Sequence, residues 1–280
     1  MSDQNDLEQF RETVYAHYQV AQRTFPWREN LDPWGILVSE FMLQQTQTQR
    51  VIPYWIHWMT VWATPETLHK ATLEDALKTW SGLGYNRRCR YLKECAAIIT
   101  NDYSGKVPQT PEILRSLPGV GTYTASAVSC FAYNHPSVFI ETNIRSAIIH
   151  FFFKQEEKVT DSEIVPILSA LLEKERNNSR QWYWALMDYG VALKKATKNP
   201  SRKSARYTKQ SRFEGSFRQR RGIALKALLS QGPAHIAELH NRTGIKTEDL
   251  YEALKSLEKE SLVSEKSGMY MVKEVHNSEI

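Results

Sequence analysis

Residues 117–125 read LPGVGTYTA, and no other stretch of the sequence says more about the fold. Its two glycines, Gly119 and Gly121, let the backbone turn tightly and leave its N–H groups uncovered. The helix predicted to start near Thr122 adds unpaired N–H donors and the positive end of its dipole. A hairpin of this kind between two helices can hold a phosphate group without reading any base sequence.

Apolar residues on both sides of this hairpin recur mostly at helical spacing, and strand-like alternation is scarce. Proline and glycine mark short loops, for example at Pro26, Pro65 and Pro136. The spacing predicts helices at about 5–22, 33–47, 50–62, 72–80, 86–101, 111–116, 122–134, 143–153, 161–175 and 180–195. The sequence up to residue 196 therefore predicts an all-α domain.

Positive charge is concentrated in residues 194–221. This segment contains eleven Lys or Arg and a single acid, Glu214, so it carries +10 while the whole chain carries +5. Such a concentration favours a polyanion such as nucleic acid as the partner, with a solvated basic linker as the alternative. We interpret residues 197–221 as a basic linker.

Residues 222–274 show a different pattern. Helices are predicted at about 223–231, 234–243 and 246–260, and a two-stranded ribbon at about 262–272. Three helices and a hairpin are typical of a winged-helix module, a relative of the helix-turn-helix. A module of this kind contacts DNA or serves as a packing or dimerisation unit, and both alternatives stay open.

Several classes of protein are excluded by composition. The 280 residues contain no run of 18 apolar residues, and the N-terminal stretch MSDQNDLEQF is polar and acidic. The three cysteines, Cys89, Cys95 and Cys130, match no disulfide framework or metal spacing. We expect a monomeric, cytoplasmic protein with reduced thiols and no membrane contact.

Four segments carry the chemistry: SEFMLQQTQ at 39–47, WSGLGY at 80–85, the hairpin at 117–125, and VFIETNIR at 138–145. Together, in this order, they resemble the helix-hairpin-helix (HhH-GPD) DNA glycosylase superfamily, and most closely its MutY-type adenine glycosylases. The resemblance covers about residues 10–195, and FEGSFRQRRG at 213–222 resembles the stretch that follows the catalytic domain in some bacterial members. It implies two helical subdomains with a cleft, and a catalytic domain at 1–196.

The resemblance also assigns catalytic roles. Glu40 matches the acid that protonates the departing purine, whereas an ordinary surface glutamate is the alternative. Glu141 matches the aspartate that stabilises the developing sugar cation; the extra methylene moves the carboxylate by roughly 1–1.5 Å. The alternative is an acid that only caps the following helix. Tyr123 stands where strand-cleaving relatives carry the Schiff-base lysine, which implies a monofunctional enzyme.

Further residues are implied in binding double-stranded DNA. Gln44, Gln45 and Tyr85 match residues that wedge into the duplex beside the flipped base. Asn143 and Arg145 are expected to support Glu141 or to contact phosphates, and Arg28 and Arg87 are further candidates. The remaining DNA contacts are expected from the hairpin and from the basic segment: Leu117, Gly119, Val120, Gly121, Thr122, Lys194, Lys195, Lys198 and Arg202.

No cofactor is expected to carry the chemistry. Most relatives hold an iron–sulfur cluster with four cysteines after a segment like MDYG at 187–190, but VALKKA follows here. The resemblance allows a structural monovalent cation at the hairpin. No Nudix-like C-terminal domain, which helps family members to recognise 8-oxoguanine, is evident.

These features favour excision of an adenine mispaired with 8-oxoguanine or guanine. One alternative is a thymine or uracil glycosylase acting on mismatches with guanine, for which Glu40 would matter less. The other is a catalytically weak DNA-binding protein that relies on the basic segment and the winged helix.

Overall fold

The computed structural model describes residues 4–208 and 212–273. Within these ranges the chain forms fifteen α-helices and three short strands, and none of those helices combines the length and the apolar content needed to cross a membrane. The first twelve helices are α1 Gln4–Ala21, α2 Pro26–Glu29, α3 Pro33–Leu43, α4 Thr48–Val61, α5 Pro65–Lys70, α6 Leu73–Trp80, α7 Arg87–Asp102, α8 Pro111–Leu114, α9 Thr122–Tyr133, α10 Thr142–Phe152, α11 Asp161–Lys174 and α12 Ser179–Ala196. The predicted all-α fold class is confirmed.

Two short helices escaped the sequence prediction. Pro26 and Pro65, which we interpreted as loop markers, are the first residues of α2 and α5. Proline suits the first helical position because its fixed φ is already helical and the missing N–H would have no helical partner there. In addition, α3 ends at Leu43, earlier than expected, and Gln45 just beyond it takes a φ of +57°.

The C-terminal module contains α13 Phe217–Gln231, α14 Ile236–Thr243 and α15 Thr247–Lys259, with β1 Ala234–His235, β2 Val263–Lys266 and β3 Met269–Val272. The predicted two-stranded ribbon is in fact an antiparallel three-stranded sheet in the order β1-β3-β2. The prediction placed Ala234 at the start of a helix, but it pairs with Tyr270 instead. A strand of two residues is too short to show alternation, so the sequence offered no signal for it.

The chain divides into two compact units, formed by the described parts of 1–36, 109–116 and 120–209, and of 37–108, 117–119 and 210–280. The core of the first unit is built where α12 packs against α1 and α10. The Phe10 ring lies 5.1 Å from both Phe151 and Phe152 and edge-on to Trp182. Aromatic packing of this kind stabilises the helices because large apolar surfaces leave water.

The second unit groups residues 37–108 with the C-terminal module. Its core contains Trp58 and Trp80, whose rings meet edge to face at 5.3 Å, and α13 packs against both α6 and α15. The predicted domain boundaries at 196 and 221 stay predictions.

Part of the segment predicted as a basic linker is packed. Pro200 and Ser201 are buried, and Val159 and Ser204 form an isolated parallel bridge. The Val159 N–H donates to the Lys203 carbonyl at 2.8 Å, and the Ala205 N–H donates to the Val159 carbonyl at 2.8 Å. Residues 200–205 therefore belong to the structure of the first unit.

A buried ion pair fixes the loop before α2. Asp188 of α12 accepts from the Arg23 backbone N–H at 2.9 Å and from Arg23 Nε at 2.7 Å. It also accepts from Arg28 Nη1 at 2.9 Å and Nη2 at 3.0 Å. Burial lowers the pKa of Arg28, and the Asp188 carboxylate opposes this shift. Arg28, a candidate DNA contact, is thus buried in an ion pair with Asp188.

We expect Asp188→Asn to lower the free energy of unfolding by about 3–5 kcal/mol, because it leaves the buried Arg28 guanidinium without its countercharge. Urea denaturation followed by circular dichroism measures the change. Glu74→Gln is the matched control, since the Glu74–Lys78 pair is exposed and contributes little. Equal midpoints for the two variants would contradict the assignment of Asp188 as the anchor of this loop.

Candidate active site

Glu40 lies near the end of α3 and is only 4% exposed. Its sequence neighbours Phe41 and Met42 are fully buried, as are most residues of this helix. The structure therefore excludes the alternative of an ordinary surface glutamate. A carboxyl group withdrawn from water in this way can be tuned by its surroundings.

Arg88 of α7 connects the end of α3 to the turn before α7. Its Nη1 donates to the carbonyls of Phe41 at 2.8 Å, Met42 at 2.7 Å and Gln44 at 2.7 Å. Its Nη2 donates to Thr46 Oγ1 at 3.1 Å and to the Gly84 carbonyl at 3.0 Å. The guanidinium is buried, and burial lowers the pKa of Arg88 to about 10.

This arginine holds two turns that contain predicted DNA-wedge residues. Gln45 and Tyr85 both have a left-handed backbone, with φ of +57° and +51°. Side chains other than glycine adopt this conformation at a cost, and it persists where surrounding contacts impose it. Arg88 Nε also donates to the Tyr85 carbonyl at 3.3 Å, and its guanidinium lies 5.2 Å from the centre of the Tyr85 ring.

Arg88 was missed by sequence reasoning, which named the adjacent Arg87 instead. The signal was nonetheless present, because Arg88 falls on the buried stripe of α7 formed with Leu92, Cys95 and Ile99. An arginine on an apolar stripe requires buried acceptors. Arg87 is exposed, with its guanidinium 5.7 Å from the Tyr91 ring.

The hairpin at 117–121 depends on Gly119, which has a φ of +73°. A Cβ atom at this position would lie 2.6 Å from Cδ2 of Tyr91, so both conformation and space require glycine. The Cys95 thiol donates to the Pro118 carbonyl at 3.2 Å. Leu117 and Val120 are buried, whereas Gly119, Gly121 and Thr122 are exposed.

A phosphate contact at this hairpin would therefore involve backbone N–H groups and not the side chains of Leu117 and Val120. Gly121 is the N-cap of α9 and brings no side chain of its own to the first turn of that helix. The exposed N-terminus of a twelve-residue helix offers N–H donors and positive potential to an anion. The predicted monovalent cation at the hairpin stays a prediction.

Tyr123, in the first turn of α9, is half-buried. Its ring meets Phe139 edge to face at 5.7 Å, and Phe139 stacks on Tyr183 at 3.9 Å. The Tyr183 hydroxyl donates to the Ser137 carbonyl and accepts from the Phe139 N–H. These contacts fix Phe139, two residues before Glu141.

Glu141 is the N-cap of α10. Its Oε1 accepts from the backbone N–H groups of Asn143 at 2.7 Å and Ile144 at 2.9 Å, and its Oε2 accepts from Asn143 Nδ2 at 3.1 Å. These donors stabilise negative charge on the carboxylate. Since each carboxylate oxygen has two lone-pair sites, Oε2 can accept a second hydrogen bond, for example from water.

Lys194 supports this cap from α12. Its Nζ donates to Asn143 Oδ1 at 2.9 Å, which orients the amide so that Nδ2 faces Glu141. Burial lowers the pKa of Lys194, and the Glu141 charge opposes the shift. The two helices can approach because residue 190 is glycine: a Cβ there would lie 2.0 Å from the Asn143 carbonyl oxygen.

Arg145 forms an ion pair with Asp161. Its Nε and Nη2 donate to the two carboxylate oxygens of Asp161 at 2.8 and 3.0 Å. This fork-like pair joins α10 to α11 and uses the geometry in which arginine binds a carboxylate best. The expectation that Arg145 supports Glu141 or binds phosphate stays a prediction.

Comparison with known proteins identifies the fold that carries these residues. Residues 38–173 match the model of the HhH-GPD superfamily base excision DNA repair proteins. The match covers 136 of the 280 residues, and over this region the chain is similar to the HhH-GPD superfamily. Over 136 residues it is 48% identical to an adenine DNA glycosylase of Mycobacterium tuberculosis, covering 48% of this chain and 45% of that relative.

Two further similarities cover more of the chain. It is 37% identical over 181 residues to an adenine DNA glycosylase of Mycolicibacterium smegmatis, covering 64% of this chain and 61% of that one. The structure of a thermostable thymine-DNA glycosylase is similar with a TM-score of 0.58 and 25% identity, covering 67% of this chain and 87% of that one. The chain spans about half to three fifths of the length of these two curated relatives.

The thiols of this chain do not fit the iron–sulfur cluster that many HhH-GPD proteins hold. The sequence has three cysteines, and a cluster of this kind needs four. Cys89, Cys95 and Cys130 lie buried in α7 and α9, and burial raises the pKa of each thiol. The segment after α12 contains no cysteine and instead makes the backbone contacts of Lys203 and Ala205 with Val159.

We expect Arg88→Lys to lower the free energy of unfolding by about 2–4 kcal/mol, because an ammonium group cannot satisfy the buried carbonyls of both turns. Urea denaturation measures the loss. Arg87→Lys changes the exposed neighbour in the same way and should leave the midpoint unchanged. An Arg88→Lys variant as stable as wild type would show that these turns do not depend on the guanidinium.

Proposed function

We propose that the chain is a monofunctional DNA glycosylase that hydrolyses the N-glycosidic bond of an adenine mispaired with 8-oxoguanine or guanine. The observation that carries the proposal is the burial of Glu40 at the end of α3, next to the constrained turn at 44–46. The identity to the two mycobacterial adenine DNA glycosylases supports the choice of adenine.

Glu40 is the acid of the proposed reaction. A group that protonates the purine must hold its proton near neutral pH, and a site withdrawn from water allows a carboxyl group to do so. Protonated adenine accepts the electron pair of the breaking bond and leaves as a neutral base. The sugar is left with oxocarbenium character at the carbon that carried the base.

Glu141 stabilises this cation in the proposed mechanism. Its carboxylate is held in place by the first turn of α10 and by Asn143. The carboxylate therefore does not have to move as the sugar becomes positive. Oε2 can also accept a proton from the water that adds to the sugar. Water addition and proton transfer complete the hydrolysis and leave an abasic site.

Tyr123 supports the monofunctional assignment. An amine at this position could form a Schiff base with the sugar and lead to strand cleavage, but a phenol cannot. We therefore propose that the chain lacks lyase activity.

Two other functions are favoured by specific observations. The similarity to a thermostable thymine-DNA glycosylase favours removal of thymine or uracil from mismatches with guanine. A pyrimidine has no N7 to protonate, so Glu40 would be dispensable in that case. The use of Glu141 as an N-cap favours a DNA-binding protein with weak catalysis, because capping alone accounts for its contacts.

Single-turnover base release from four duplexes separates these functions. The duplexes contain A opposite 8-oxoguanine, A opposite G, T opposite G, and U opposite G. We expect wild type to release adenine only, with strand breaks appearing only after alkali. We expect Glu40→Gln and Glu141→Gln to slow release by about a hundredfold or more.

Glu173→Gln removes the same charge from an exposed position of α11 and should react like wild type. Release of thymine or uracil alone would place the protein among the mismatch pyrimidine enzymes. Efficient nicking without alkali would contradict the role of Tyr123. Tight binding with no base released would favour the weakly catalytic alternative.

DNA affinity should depend on three exposed bases near the end of α12: Lys195, Lys198 and Arg202. Replacing all three by Gln should weaken binding equally for all sequences and make the slope of log K against log salt shallower by about 2 to 3. Fluorescence anisotropy over a salt series measures the slope. The control replaces three exposed lysines of the C-terminal module by Gln: Lys246, Lys259 and Lys266. Equal slopes for the two triple variants would show that the three bases near α12 do not contact DNA.

A further inference from the structure

The C-terminal module contacts the predicted wedge residue Tyr85. Arg218, in the first turn of α13, donates from Nη1 to the Tyr85 hydroxyl at 2.6 Å, and its guanidinium lies 5.9 Å from the Tyr85 ring centre. The Arg88 guanidinium contacts the same ring, at 5.2 Å from its centre. Tyr85 is thus fixed at its backbone by Arg88 and at the tip of its side chain by Arg218.

Helix α13 also supports the turn that carries Tyr85. It packs against α6, and Trp80, the last residue of α6, donates from Nε1 to the Gly84 carbonyl at 3.1 Å. The module therefore reaches the 80–85 turn through both the helix before it and the tyrosine at its end.

The charges of the module do not suit direct DNA reading. Helix-turn-helix relatives place the second helix of the motif in the major groove, which here is α15. Helix α15 carries four acids, Glu248, Asp249, Glu252 and Glu258, and two lysines. Asp249 and Glu260 further neutralise Arg220 and Arg221 of α13 through ion pairs. A helix with this charge repels phosphates.

We propose that the module acts as a brace for Tyr85, and that Arg218 is a positioning residue for insertion of this tyrosine into the duplex. The inference rests on the proposed function, in which Tyr85 enters the DNA beside the flipped base. A side chain that is ordered before binding loses less conformational freedom on insertion, so a distorted duplex that admits the ring is bound in preference to a paired one.

The test compares the affinities of the full chain for two duplexes by anisotropy: one with a tetrahydrofuran abasic analogue opposite 8-oxoguanine, and one fully paired. Neither duplex requires turnover. We expect Arg218→Gln and Tyr85→Phe each to reduce the ratio of the two affinities by about tenfold, as loss of a charge-assisted hydrogen bond does. The double variant should reduce the affinity ratio no further than the more severe of the two single variants, because both changes remove the same contact.

Two further variants separate positioning from charge and from folding. Arg218→Lys retains a positively charged donor, which the Gln variant lacks, and should keep most of the preference. Lys226→Gln removes an equal charge from an exposed position of the same helix and should leave the ratio unchanged. Should Arg218→Gln fail to fold, Tyr85→Phe, which removes one oxygen atom, carries the test.

The inference is overturned if Arg218→Gln retains the wild-type preference, or if the losses multiply in the double variant. Equal weakening for both duplexes would also overturn it, because Arg218 would then be a phosphate contact. A wild type with no preference for the abasic duplex is the fourth such outcome. If the ratio falls as expected while wild type releases no base, the positioning role of Arg218 stands and the proposed excision of adenine fails.

Discussion

The Arg88 guanidinium is the interaction on which the geometry of the candidate site in the second unit depends. A helix leaves its last carbonyls without helical donors, and burying such groups unpaired costs about 1–3 kcal/mol each. Here Arg88 supplies donors to the carbonyls of Phe41, Met42 and Gln44 and, from the same group, to Gly84 and Tyr85. None of its hydrogen bonds within the described residues goes to a carboxylate, so its charge is solvated by peptide dipoles. Because one planar group serves both turns, the conformation of each depends on the other.

Much of this arrangement could be predicted from sequence, but not its central contact. Helical periodicity predicted most helices, because the spacing of apolar residues carries that information. The resemblance of the motif at 39–47 to the glycosylase family indicated Glu40. The partners of Arg88 are backbone carbonyls, which have no residue-type signature, so the sequence could show at most that an arginine lies on a buried stripe. The packing role of Gly190 could not be predicted for a similar reason. Glycine is needed there because the Asn143 backbone lies close to it, and only the packing of α12 on α10 shows this contact.

The glutamate at position 141 illustrates how local structure accommodates a longer side chain. An aspartate at an N-cap reaches the helix N–H groups directly, whereas Glu141 must fold back to reach those of Asn143 and Ile144. Because the side chain folds back, the extra methylene group is accommodated within the cap. This offsets part of the displacement of the carboxylate that a longer side chain would otherwise cause. Asn143, itself held by Lys194, then fixes Oε2. The capping and catalytic interpretations of Glu141 are thus compatible, since different oxygens serve them.

The basic segment shows why a charge count overstates a binding surface. Eleven bases in 194–221 suggested a broad site for a polyanion, yet most of those described are committed within the protein. Lys194 binds Asn143 and Lys203 binds two carbonyls at the end of α10. Arg218 contacts Tyr85. Four more bases form ion pairs with acids: Arg206 with Asp161, Arg212 with Glu214, Arg220 with Asp249 and Arg221 with Glu260. DNA can therefore be bound only by those cations of the segment that are not already paired with a carboxylate or a carbonyl of the protein. Along the described part of the segment, these are the exposed residues Lys195, Lys198 and Arg202.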